Sequence, residues 1–205
     1  MALNLEATLP DPSLKTSAGA NRFVWDMKHS AVRKSTTGGR AVAGPMVAPG
    51  KYRIELQVLD QNFTQDVQVV TDPRVTAAGV SDGDLKIQET LVLGVRDLYS
   101  EARGLENLVH LRRSANKEKI DSGKASKRLV AEDKALQGLE AQLTTAEGRY
   151  MKPMLVDQVS YLYFMLTMAD QLPGQDAYDR FNELSLFYNG LKTANEKLIG
   201  NISKK

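Results

Sequence analysis

Residues 49–70 read PGKYRIELQVLDQNFTQDVQVV and alternate apolar with polar side chains. The apolar residues form two runs at even-numbered spacings: Tyr52, Ile54, Leu56 and Val58, then Phe63, Val67 and Val69. A period of two places alternate side chains on one face of a β-strand. The polar run Asp60-Gln61-Asn62 between them is typical of a turn. We therefore expect two strands that pair as a β-hairpin.

The residues before this hairpin carry further strand and turn signals. Near the start of the chain four apolar residues alternate: Leu3, Leu5, Ala7 and Leu9. Turn-forming dipeptides stand at residues 44–45 and 49–50, and residues 35–39 (STTGG) are typical of a flexible loop. Short strands separated by turns are typical of sandwich folds. We therefore expect residues 1–75 to form a small antiparallel β-sandwich of the immunoglobulin or fibronectin type III kind.

Beyond residue 75 the apolar spacing changes to steps of three and four, which indicates helices. Ser81 with Asp84 three residues later resembles a capping box, the signal that begins a helix. Apolar seams run through four segments, at about residues 81–114, 129–146, 153–169 and 177–198. Narrow seams joined by mostly short connections favour antiparallel packing. We expect an antiparallel four-helix bundle over residues 76–205.

Composition excludes several classes of protein. The 205 residues carry 27 Lys and Arg against 25 Asp and Glu, and a net charge of +2 leaves no electrostatic footprint for nucleic acid. The chain has no cysteine, which excludes disulfides and thiolate zinc sites. The first residues lack the basic start and apolar run of a signal peptide, and no window approaches the roughly 18 apolar residues of a membrane span. Its abrupt opening on an alternating run suggests a piece of a longer protein.

No pattern of catalytic or cofactor-binding residues stands out. His29 and His110 are the only histidines and lie far apart, so we expect no metal site. The glycines do not match a phosphate-binding spacing, and no serine lies in a nucleophile-elbow pattern. Nothing in the spacing of the acids near the predicted strands forces two of them to face each other as in a glycosidase: Asp26, Glu55, Asp60 and Asp66. We expect neither a cofactor nor an enzymatic activity.

Trp25, the only tryptophan, lies in the predicted strand Phe23-Val24-Trp25-Asp26. A large aromatic side chain in a small sandwich most often fills the core, so we expect Trp25 to be buried. The alternative is an exposed platform on which a carbohydrate ring stacks. Exposure of Trp25 distinguishes the two.

Two further segments invite a functional interpretation. Basic residues cluster between Arg112 and Arg128 but alternate with acids, which favours a solvated helix-loop tip over an anion-binding patch. An aromatic and methionine-rich segment exceeds the narrow seam of a bundle helix: Tyr161, Tyr163, Phe164, Met165 and Met168. We expect the β domain to cover this extra face, or else a partner protein or a missing domain. Its aromatic members and Trp25 are the candidate interaction surface: Trp25, Tyr161, Tyr163 and Phe164.

Several segments together resemble a known family. They are NRFVWDM at residues 21–27, Gly44-Pro45, APGKYRIEL at residues 48–56 and Asp72-Pro73-Arg74, followed by a helical tail. This succession resembles the C-terminal region of large bacterial sortilin-like (VPS10-type) propeller proteins, also labelled BNR-repeat or glycosyl-hydrolase-like. The resemblance covers nearly the whole chain. It departs at residues 28–42, KHSAVRKSTTGGRAV, where a polar loop replaces a short aromatic link.

The resemblance implies a noncatalytic accessory module of a larger secreted or periplasmic bacterial protein. The expected partner is an upstream propeller domain of the same protein, which would carry any glycosidase-like site. No blade-length repeat occurs in these 205 residues, so no residue of such a site can be assigned here. Two alternatives stay open. One is a carbohydrate-binding accessory module, and the other is an intracellular scaffold whose helices bind another protein.

Overall fold

The computed structural model describes residues 17–38 and 40–203. The alternating residues 3–9 lie outside this part of the chain, as does Gly39. The described elements follow one another in this order: β1 (Gly50–Val58), β2 (Gln61–Val69), α1 (Pro73–Ala77), α2 (Asp82–Asp121), α3 (Lys127–Leu143), α4 (Leu155–Thr167) and α5 (Gln175–Ser203).

Strands β1 and β2 form the expected antiparallel hairpin, with Leu56 opposite Phe63 and Tyr52 opposite Val67. Because directly opposed residues share a face, the apolar residues of both strands lie on one side of the hairpin. The turn is shorter than expected. Its two residues are Leu59 and Asp60, while the predicted turn residues 61 and 62 already belong to β2.

The predicted β-sandwich is wrong. The described residues contain one sheet of two strands and a single isolated bridge, between Lys28 and Met46. No second sheet faces the hairpin within the described part of the chain. The alternating pattern indicates which residues form strands, but it contains no information on how many strands meet or in how many layers.

Helix α2 begins as its sequence predicts. The Ser81 hydroxyl accepts a hydrogen bond from the Asp84 amide at 3.1 Å, and the Asp84 carboxylate accepts one from the Ser81 amide at 2.9 Å. The capping box is therefore confirmed. The helix runs for 40 residues, about 60 Å at 1.5 Å per residue, and continues past the predicted end near residue 114.

Helices α2 to α5 surround the main apolar core. Its fully buried members come from four different helices, among them Val95, Leu136, Val159 and Leu184. The predicted four-helix bundle following a sandwich is nevertheless wrong, because residues 17–38 and 40–203 form five helices of very unequal length. Helix α4 has 13 residues, so its roughly 20 Å cannot match the length of α2.

A segment before the hairpin lies against α2, and we call its described residues, 27–38 and 40–47, the strap. Its two halves pair with each other: the His29 amide donates to the Pro45 carbonyl at 2.9 Å, and the Val47 amide donates to the Met27 carbonyl at 2.9 Å. Gly44 is required here, because a Cβ atom would lie 1.9 Å from the His29 carbonyl oxygen. Val32 of the strap is buried in the helical core. The predicted domain boundary between residues 75 and 76 stays a prediction.

Candidate docking surface

The apolar face of the hairpin is largely uncovered. Ile54 is 44% exposed, Leu56 39% and Phe63 53%, and no described helix packs against either strand. The opposite face is polar, and Arg53 pairs there with Asp66 across the strands at 2.8 Å. A hairpin on its own is marginally stable in water, and a sheet normally buries its apolar face against another layer. This face is therefore a candidate docking surface.

Trp25 lies at the base of the hairpin, where it packs against Tyr52. The two ring centroids are 5.6 Å apart at an angle of 59°. The Tyr52 hydroxyl donates to the Ala48 carbonyl at 2.6 Å, and burial, followed by the charge of Glu89, raises the pKa of Tyr52. Trp25 itself is half-buried, so the expectation of full burial is corrected. The described residues contain no second sheet over the hairpin. Trp25 therefore packs against the Tyr52 ring at the hairpin base and does not lie in a core between two sheets.

Glu89 of α2 connects the hairpin base to the helices. One of its carboxylate oxygens accepts the Ala48 amide at 2.7 Å and lies 2.8 Å from Nε2 of His29. Farther along α2, the side-chain oxygen of Asn107 accepts the Thr36 amide at 2.8 Å, and its nitrogen donates to the Lys34 carbonyl at 2.9 Å. These polar side chains hold the strap, and through it the start of β1, against α2.

The predicted surface residues of α4 separate into two environments. Tyr163 is buried, its ring lies 6.2 Å from that of Tyr99, and its hydroxyl donates to the Ala43 carbonyl of the strap at 2.7 Å. Burial raises the pKa of Tyr163 to about 12. Tyr161 is 69% exposed and Phe164 48%. The strap covers one side of α4, and the outer side stays in solvent.

The four candidate residues therefore do not form one continuous site. Trp25 is at the hairpin base and Tyr163 is beneath the strap, whereas Tyr161 and Phe164 lie on the outside of α4. Sequence reasoning missed the exposed face of the hairpin, because the predicted sandwich would have buried it. The available signal was the apolar alternation itself, which marks a face that needs a covering layer.

Part of the basic cluster is paired and partly buried, unlike a solvated helix-loop tip. Arg112 pairs with Glu132 of α3 at 2.7 Å, and Arg113 pairs with Glu140. All four side chains are less than a third exposed. Glu132 and Glu140 are eight residues apart, a little over two turns of α3, and both pair with arginines of α2. This spacing is the sequence signal for an ion-paired contact between α2 and α3.

The acids considered for hydrolysis lie in open surroundings. Glu55 and Asp66 are diagonal neighbours on the polar face of the hairpin, both exposed, and Asp66 is engaged by Arg53. The Asp26 carboxylate accepts the Lys28 amide at 3.1 Å, and Asp60 is in the hairpin turn. Across residues 17–38 and 40–203, no three His, Asp or Glu side chains come together in a way that could hold a metal ion.

Within the described part of the chain, no helix is both long enough and apolar enough to cross a membrane. Comparison with known proteins finds no matching family model, no similar curated protein and no similar solved structure.

Proposed function

We propose that this chain is a noncatalytic accessory module that docks a larger secreted protein through the apolar face of the β1–β2 hairpin. The observation that carries the proposal is the position of Ile54, Leu56 and Phe63, three neighbouring apolar side chains in solvent on one face of a two-stranded sheet. Covering this face removes apolar area from water, at about 25 cal/mol per Å². The helices, packed on their own core, serve as the rigid base that presents it.

The occupant we propose is a β-sheet of a propeller domain in the same polypeptide, as the sequence resemblance implies. An uncharged and mainly apolar face, which also carries Gln61 and Gln65, fits another sheet stacked on it at about 10 Å, with side chains interdigitated. All charged side chains of β1 and β2 lie on the other face, so stacking desolvates no charge: Lys51, Arg53, Glu55 and Asp66. The half-buried Trp25, packed on Tyr52, gives no support to the carbohydrate alternative.

Site-specific photo-crosslinking in the full-length gene product tests the occupant. A benzophenone amino acid replaces Phe63 on the apolar face, and Thr64, its exposed neighbour on the polar face, is the matched control position. We expect Phe63, but not Thr64, to crosslink to strands of a propeller domain. Crosslinks to a second copy, to residues 1–16 or to nothing would overturn this occupant.

Activity assays test the noncatalytic part of the proposal separately. The purified chain is incubated with chromogenic glycosides and sialosides, and we expect no turnover above background. Turnover that disappears on Glu55→Gln or Asp66→Asn, and survives the change Asp60→Asn in the hairpin turn, would establish an enzyme instead.

A further inference from the structure

A second apolar surface lies on the outside of α4 and is separate from the hairpin. Three of its side chains follow one another at helical spacing: Tyr161, 69% exposed, Met165, 48%, and Met168, 78%. Positions four and three residues apart fall on the same face of a helix. Asp157 is the only charged residue in the 13 residues of α4. The outer side of this helix is therefore an apolar stripe from Tyr161 to Met168, and Asp157, four residues before Tyr161, is the charged residue at its start.

A groove of about 780 Å³ runs between this stripe and the first turns of α5. Its apolar lining includes the buried Leu162 and Leu166 with Met165 and Ala177, and prolines 153 and 173 also contribute to it. This volume falls in the range of sites that take small ligands or anchoring side chains. Methionine side chains adapt their shape to what binds them.

The charges around the groove are mainly acidic. Asp157 and Asp176 line it, and Asp170 lies just beyond the end of α4. Among the described lining residues Arg180 is the only cation, and its guanidinium already donates to Glu183 and to the side-chain oxygen of Gln158, each at 2.5 Å. A positively charged binding partner is therefore attracted by these carboxylates, whereas a neutral or acidic partner is not.

The same charges disfavour a second copy of the chain. If two α4 stripes pack parallel, Asp157 faces its own counterpart, and if they pack antiparallel, Asp157 faces the end of the stripe near Asp170. Like charges brought together across an interface lower affinity. Lys152 stands three residues before the start of α4, outside the stripe.

We propose that the groove between α4 and α5 binds an apolar segment of another polypeptide that carries lysine or arginine at its flanks. Apolar anchor side chains enter between Tyr161 and Met165, and the basic flanks approach Asp157 and Asp176. This arrangement corresponds to the recognition of an amphipathic helix by an apolar groove.

Fluorescence anisotropy with a defined probe tests the proposal. The probe is a labelled amphipathic peptide of leucine and lysine, and its control has glutamate in place of every lysine. The full chain is compared with Met165→Lys and Tyr161→Ala in the groove, and with Leu186→Lys, a 73% exposed position on α5 outside the groove. Circular dichroism checks that each variant keeps its helices.

We expect the lysine peptide to bind and the glutamate peptide to bind at least about tenfold more weakly. Met165→Lys should weaken binding about tenfold, Tyr161→Ala several-fold, and Leu186→Lys not at all. Phe63→Lys on the hairpin should leave binding unchanged, which keeps this test independent of the proposed docking face. Three results would each overturn the proposal. The two peptides could bind equally well, or the groove variants and Leu186→Lys could lose the same amount of peptide affinity. The third is that the chain forms a dimer which Met165→Lys abolishes.

Discussion

Helices α2 to α5 share a buried apolar core, whereas the hairpin β1–β2 leaves about half of its apolar face in solvent, with Leu56 39% and Phe63 53% exposed. Leu136 of α3 is fully buried, and Leu56 of β1 is 39% exposed. Both leucines belong to regular apolar patterns. The difference is the number of layers: four helices pack around one shared core, and no second layer of the described residues covers the hairpin. The helices can thus fold on their own contacts, while the hairpin depends on what covers it.

Truncating one leucine in each region gives the largest expected contrast. Leu136→Ala removes a fully buried side chain and leaves a cavity, so we expect it to lower the free energy of unfolding by about 2–5 kcal/mol. Leu56→Ala, the matched control in the hairpin, should cost less than about 1 kcal/mol, because much of its side chain is already in water. Urea unfolding followed by circular dichroism measures both. Equal losses of unfolding free energy in the two variants would contradict the difference in burial between the helical core and the hairpin.

A substitution that loosens the strap, which connects the hairpin to the helices, should lower the free energy of unfolding by a smaller amount. Asn107→Ala removes the hydrogen bonds to the Thr36 amide and the Lys34 carbonyl, and we expect a loss of about 1–3 kcal/mol. Amide exchange in residues 28–36 should become faster, while exchange in α3 should keep its rate. Asn62→Ala, at an exposed position in β2, is the control. If amide exchange in residues 28–36 keeps its rate in Asn107→Ala, the Asn107 side chain does not hold the strap against α2.

Tyr163→Phe should have a small effect on the free energy of unfolding at neutral pH and a separate, pH-dependent effect in alkali. Tyr163→Phe leaves the Ala43 carbonyl without its donor, at a cost of about 1 kcal/mol. Burial raises the pKa of Tyr163 from 10.0 to about 12, so the unfolded chain loses this proton before the folded chain does. The stability contributed by the neutral phenol is complete below pH 10 and is lost as the pH rises toward 12.

Unfolding measured at pH 9 and at pH 11 checks this linkage. The wild-type chain should lose more stability between the two than Tyr163→Phe does. Burial also raises the pKa of Tyr188, so part of the alkaline loss should persist in the variant. The exposed Tyr161→Phe is the control and should match the wild type. An identical alkaline loss in Tyr163→Phe would show that this phenol is not buried as described.

Local patterns in the sequence predicted the hairpin and the start of α2, but the strand predicted at residues 23–26 is irregular in the structure. The alternation from Tyr52 to Val69 gave the strands and their shared face, and the capping box at Ser81 gave the start of α2. Both signals depend on neighbours within a few residues. The assembly of the elements depends on contacts between distant residues, which periodicity does not contain. The predicted sandwich therefore failed although its hairpin was correct.

The candidate site shows the same limit. Tyr163 and Phe164 are adjacent in an aromatic segment, yet one is buried beneath the strap and the other is exposed. Helical spacing alone cannot separate them, because the strap that covers Tyr163 comes from residues about 120 positions earlier in the chain. Arg112 is a comparable case, since its partner Glu132 belongs to the next helix. Here the eight-residue spacing of the acids on α3 offered a usable signal.

Hydrogen exchange of the isolated chain, followed by mass spectrometry, tests most directly whether the hairpin lacks a covering layer. A hairpin without one opens at little free-energy cost, so amides of residues 50–69 should exchange far faster than those of residues 91–109 in α2. Core amides of α2 should open only with the whole helical core. If the hairpin amides are instead as protected as those of α2 in the isolated chain, its apolar face is already covered, and the docking role proposed for it is wrong.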